Sequence, residues 1–94
     1  MRVRWLRKAL RNLDDEATYI AVDDENAAQF VVQRVMSAVA LLADQPGLGR
    51  PGRVPETREL VIPKTRYIVP YRVAGDTIEI LRVFHATRRL PGKW

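Results

Sequence analysis

Leu6, Leu10, Leu13, Ala17 and Ile20 recur at alternating spacings of four and three residues. That spacing lines one face of an amphipathic helix. Arg7, Lys8, Arg11 and the Asp14–Glu16 cluster fall mostly off this face. Ahead of it, Met1 to Trp5 alternates at Val3 and Trp5 and predicts a short opening strand, which must find a place at a sheet edge. Val22-Asp23-Asp24-Glu25 breaks the helical pattern. An aspartate there can cap a second helix, and the acids suit its N-terminal dipole. That helix is predicted over Glu25–Ala43, with a broad apolar face from Ala27, Phe30, Val31, Val35, Ala38, Val39 and Leu42. Gln45-Pro46-Gly47 ends it. So short a turn between two helices predicts an antiparallel helical hairpin.

The second half changes period from 3.6 to 2. After an ordered Gly/Pro connection at Gly47–Pro55, strands are predicted at Arg58–Ile62, Arg66–Val73 and Thr77–Phe84. Pro63-Lys64-Thr65 and Ala74-Gly75-Asp76 form the turns. Tyr67, Val69, Tyr71 and Val73 share one face of the middle strand; Arg66, Ile68 and Arg72 share the other. Pro70 interrupts that strand. It cannot donate to a ladder, so an edge, a bulge or a nitrogen aimed away from any neighbour is implied. The order β-α-α-β-β-β predicts an α+β fold in which the hairpin packs on one face of a small antiparallel sheet. The 94 residues make one domain, 1–94.

Composition narrows the chemistry. There is no cysteine and one histidine, which argues against disulfides, thiolate chemistry and a protein-only zinc site. No metal or other cofactor is expected. No stretch reads as a signal peptide or a membrane span, so a cytosolic protein with no membrane partner is expected. Charge is uneven. Residues 1–46 carry 6 basic and 7 acidic side chains, whereas residues 47–94 carry 10 basic and 4 acidic, within an overall net charge of +5. Thirteen of the 16 cations are arginine, which binds phosphate and carboxylate in bidentate fashion. The strand half therefore offers guanidinium groups to an anionic partner.

Several stretches carry a family resemblance together: Leu48-Gly49-Arg50-Pro51-Gly52, Arg58-Glu59-Leu60-Val61, Tyr67 through Val73, and Ile78-Glu79-Ile80-Leu81-Arg82-Val83 with His85 and Arg88. In this order and spacing the chain resembles the RelE/ParE superfamily of type II toxins, and most closely its ParE branch. The resemblance implies a small α+β toxin, often associated with plasmid stabilisation, that is neutralised by a ParD-like antitoxin in a hetero-oligomer. It implies DNA gyrase as the target, with DNA met only through the gyrase complex or the antitoxin. RelE-like members instead cut mRNA on the ribosome. A non-toxic homologue that only binds antitoxin is a third possibility.

The candidate target-binding residues are Arg58, Lys64, Arg66, Arg72, Arg82, Arg88, Arg89 and Trp94. The alternative for the strand arginines is a set of ion pairs with Glu59, Asp76 and Glu79. The candidate antitoxin-binding residues are Leu6, Leu10, Leu13, Ala17, Val31, Val35 and Arg82. No catalytic residue is expected of a toxin that acts by binding. For a ribonuclease, Arg66 and Arg82 are the phosphate-binding cations and His85 the acid, by analogy with RelE-like enzymes. The residue after His85 is Ala86, where the histidine-using ribonucleases tend to have tyrosine. Tyr67 and Tyr71 read as core rather than as base-stacking platforms.

Overall fold

The computed structural model describes residues 1–88 and 92–94. The elements are β1 (Arg2–Trp5), α1 (Arg7–Asp23), α2 (Glu25–Ala40), a short 3-10 turn (Leu41–Ala43), β2 (Arg50–Pro51), β3 (Arg58–Val61), β4 (Tyr67–Ala74), β5 (Thr77–Ile80) and β6 (Phe84–His85). The sheet runs β1-β5-β4-β3-β2, and β6 pairs with β4. β1 takes the expected edge, parallel to β5, while the other pairings are antiparallel. A parallel partner is reachable because the helical hairpin supplies the long crossover that such pairing needs.

Asp24 caps α2: its Oδ1 accepts from Ala27 N–H at 3.0 Å. The stretch Glu25–Ala43 is long and apolar enough to cross a membrane by length and composition. Here it serves as a core helix, placing Val35, Val39 and Leu42 on the sheet beside Ala9 and Leu13 of α1. From the sheet come Leu60, Tyr67, Val69, Tyr71, Ile78, Ile80 and Val83. Tyr67, Val69 and Tyr71 point inward as their alternation predicts, but Val73 is 46% exposed, near the end of β4.

Tyr71 ties the Gly/Pro connection to this core. Its hydroxyl donates to Pro46 O at 2.7 Å and accepts from Gly49 N–H at 2.8 Å. A side chain on Gly49 would bring a Cβ within 2.6 Å of the Tyr71 ring, so the close approach requires glycine. Within the connection lies β2, a two-residue strand that the sequence pattern does not signal.

The predicted strand Thr77–Phe84 is interrupted. Tyr71 faces Ile80 but Ile68 faces Phe84, so two residues of β4 oppose three, Leu81, Arg82 and Val83. This is a β-bulge. Pro70 sits opposite it. Its carbonyl accepts from Leu81 N–H at 2.9 Å, so its nitrogen is also directed at the bulge, where the ladder is already broken. Val83 N–H, diverted from the ladder, donates to Asn12 Oδ1 of α1 at 3.2 Å. The extra residue shifts the alternation. Val83 enters the core, Phe84 turns outward against Trp94, and His85 returns to the helix side against Tyr67.

Candidate functional site

A cleft of about 420 Å³ opens where the start of β4 and β6 meets the hairpin, with Arg66, Tyr67, His85 and Arg88 along one wall and Tyr19 and Val31 along the other. The His85 and Tyr67 rings meet edge to face at 5.2 Å. His85 Nδ1 lies 2.7 Å from Thr87 Oγ1. Tyr67 donates its hydroxyl to Glu16 Oε1 at 2.9 Å, and Arg88 donates to Glu16 Oε2 at 2.7 Å. Glu16 of α1 thus fastens both the sheet and the chain after β6 to the hairpin.

Burial pushes the Glu16 carboxyl up, but the hydrogen bonds from Arg88 and Tyr67, with the Arg88 and His85 charges, outweigh it and hold the group below its ordinary value. Burial and the hydrogen bond to Glu16 push the Tyr67 hydroxyl up to about 12. Tyr67 is therefore a fixed donor near neutral pH. The hydrogen bond to Glu16 raises Arg88 further, and its charge is permanent.

The expected cations scatter around this cleft. Lys64 is exposed on the β3–β4 turn at φ 63°. Arg66 is exposed at the cleft mouth and makes no side-chain ion pair or hydrogen bond among the described residues. Arg58 instead donates to Gly49 O at 2.7 Å and Gly47 O at 3.4 Å, pinning the connection. Arg72 pairs with Glu79 at 2.6 Å, the one member of the expected ion-pair set that forms among the described residues. Glu59, 2% exposed, is taken by Arg50 at 3.2 Å and Arg53 at 3.1 Å, and it also accepts from Arg53 N–H at 2.9 Å. Burial raises Glu59, and the Arg53 and Arg50 hydrogen bonds overcome that and lower it.

Arg82 does not join Arg66 and His85. Its Nε and Nη2 donate to Trp94 O at 3.2 and 2.9 Å. The Trp94 ring lies 5.4 Å from Phe84 and its Nε1 donates to Thr57 Oγ1 at 3.3 Å. The bulge is the cause, since it turns His85 to the helix side while Arg82 stays with Phe84 and Trp94. Arg89 lies outside the described residues.

Of the expected antitoxin-binding residues, Leu13 and Val35 are core and offer no surface to a partner. Leu10 is half-exposed, while Leu6, Ala17 and Val31 are partly covered. A wider groove of about 780 Å³ runs between the helices on their solvent side, floored by Ala17, Ala21 and Ala28 with Val32 and Met36. Ala21, Ala28 and Met36 carry no individual signal in the sequence, because small residues in a helix read simply as good helix formers.

Comparison with known proteins accords with this architecture. Residues 3–90 match the model of the ParE toxin family, described as the ParE toxin of the type II toxin–antitoxin system parDE. A candidate toxin, Y4kP of Sinorhizobium fredii, is 50% identical over 90 residues, covering 96% of this chain and 93% of that protein. Toxin RelE2 of Caulobacter vibrioides is 33% identical over 86 residues, covering 92% and 96%. Among solved structures, a chain of the chromosomal ParDE toxin–antitoxin system from P. aeruginosa superposes with a TM-score of 0.80 at 33% identity, over 90% of this chain and 95% of that one. The chain belongs to the ParE toxin family of type II toxin–antitoxin systems.

Proposed function

We propose that this toxin acts by binding DNA gyrase and holding it on cleaved DNA, and that a ParD-like antitoxin neutralises it. The observation that carries this reading is the separation of Arg82 from Arg66 and His85. General acid–base cleavage of RNA needs a proton donor, a proton acceptor and a cation around one phosphate. The cleft brings His85 and Arg66 together, but Arg82 is held by Trp94, and Tyr67 keeps its proton near pH 7. Exposed cations with a single titratable group suit docking better than proton transfer. Lys64, Arg66 and Arg72 supply the electrostatic contact, and Arg88 and Arg89 extend it along the chain after β6. The ParDE likeness and the apolar groove between α1 and α2 support antitoxin cover of the hairpin, since exposed apolar grooves mark partner sites.

The second reading is a ribosome-dependent ribonuclease centred on Arg66 and His85. The likeness to toxin RelE2 and the shared cleft favour it. One experiment separates the two: expression of wild type, His85→Ala and Arg66→Ala in cells carrying a DNA-damage reporter. Gyrase poisoning predicts reporter induction and growth arrest by wild type and His85→Ala alike, with weaker arrest by Arg66→Ala. Cleaved mRNA without reporter induction, abolished in His85→Ala, establishes the ribonuclease instead. Normal growth with intact antitoxin binding establishes a non-toxic homologue.

A further inference from the structure

α2 has two charged residues, Glu25 in its first turn and Arg34 near its middle. Phe30, Val31, Ser37 and Ala38, three and four positions from Arg34, include no acid. These are the positions from which a helix supplies a counter-ion. Arg34 lies instead over the Phe30 ring, with Cζ 5.2 Å from the ring centroid. Its Nε is buried and has no hydrogen-bond partner among the described residues. A buried donor left unmade is costly, and native structures keep few of them.

The surroundings are apolar and open. Phe30 is 46% exposed and Leu41 is 50% exposed, at positions i−4 and i+7 from Arg34. Only 28% of Glu25–Ala43 is buried, although the stretch is apolar enough for a membrane span. This flank lies away from the α1 groove, whose lining includes Val32 and Met36 but neither Phe30 nor Arg34.

We infer that Arg34, held over Phe30, anchors a carboxylate on an acidic, apolar-flanked segment of the antitoxin. The inference rests on the antitoxin-bound reading above. A guanidinium already stacked on an aromatic ring loses little freedom on binding, and arginine is enriched among the residues that dominate interface energetics. A carboxylate supplies the hydrogen bond that Nε lacks, with charge assistance, while apolar residues on either side cover Phe30 and Leu41. The unmatched cation selects an acidic partner, and the apolar residues beside it select an amphipathic one.

The test measures binding of the full chain to the ParD-like protein encoded in the neighbouring reading frame. Wild type, Arg34→Met and Arg34→Lys are compared by calorimetry, with the Arg34 Nε–Hε resonance followed by NMR. The inference expects Arg34→Met to weaken binding at least tenfold and Arg34→Lys to recover only part of it, because lysine has no Nε fork. It expects the Nε–Hε signal to shift on binding. Should Arg34→Met not fold, Arg34→Lys and the NMR shift carry the decision. Binding within twofold for both variants and an unmoved signal overturn the inference and leave the antitoxin reading standing. A wild-type chain that does not bind the antitoxin at all overturns both. Self-association of the wild-type chain that Arg34→Met abolishes, with antitoxin affinity unchanged, assigns the face to a second copy and also overturns it.

Discussion

Two side chains show how single residues fix this molecule. The Tyr71 hydroxyl holds Pro46 O and Gly49 N–H at once, from a fully buried position. Tyr71→Phe leaves both without that partner. The expected loss is about 1–3 kcal/mol in urea unfolding, the cost of unsatisfied buried polar groups. Glu59 is the one buried charged residue among the described positions and accepts from Arg50 and Arg53. Its carboxyl, like that of Glu16, is lower in the folded protein than in the unfolded chain. The stability it contributes is therefore complete above the unfolded carboxylate value of about 4.3 and is lost as pH falls through the lower folded value. Glu59→Gln should be less stable than wild type at pH 7 and should lose less on acidification. Thermal melts between pH 7 and pH 3 read this directly, and parallel curves for the two proteins contradict it.

At the scale of elements, the bulge between β5 and β6 decides which residues share a surface. Pro70 and Asn12 both bear on it, one by withholding a donor from the ladder and the other by accepting the displaced Val83 N–H. Asn12→Ala should cost about 1–3 kcal/mol through that unsatisfied donor. It should also loosen β6, seen as faster amide exchange at Phe84 and His85. Pro70→Ala should cost only about 0.4–1 kcal/mol, acting through the unfolded chain. A cost from Pro70→Ala larger than from Asn12→Ala contradicts this division of roles.

The bulge also marks the limit of what periodicity conveys. The helical hairpin, the Asp24 cap, the edge position of β1 and the inward run Tyr67, Val69 and Tyr71 follow from local spacing and were legible. The bulge was legible only as the puzzle of Pro70, because its other half, Asn12, lies 71 residues away from Val83. For the same reason the sequence groups Arg82 with Arg66 and His85, whereas one extra residue sends Arg82 toward Trp94. The Glu16 link to Arg88 and Tyr67 spans a similar separation and leaves no pattern along the chain. β2 was too short to show a period, and Arg50 and Arg53 looked like loop cations until Glu59 was seen between them.

Across the whole molecule, the two halves separate two kinds of partner. The hairpin exposes an apolar groove and carries its acids at the tip, at Asp23, Asp24 and Glu25. The sheet half carries the excess of arginine. An antitoxin that covers apolar surface and a target reached through charge can thus meet different faces of one small domain. Contacts to phosphate release counter-ions, so association with a gyrase–DNA complex should weaken steeply with salt. Antitoxin binding, with its apolar share, should weaken less between 50 and 200 mM salt, a range over which several phosphate contacts lose about a thousandfold or more in affinity. Equal salt slopes for the two partners contradict the separation. The most direct test of the account is a gyrase cleavage assay with purified toxin, plasmid and ATP. Wild type and His85→Ala should both trap cleaved DNA in proportion to toxin and be reversed by the antitoxin. Full supercoiling with no cleaved product at large toxin excess contradicts it.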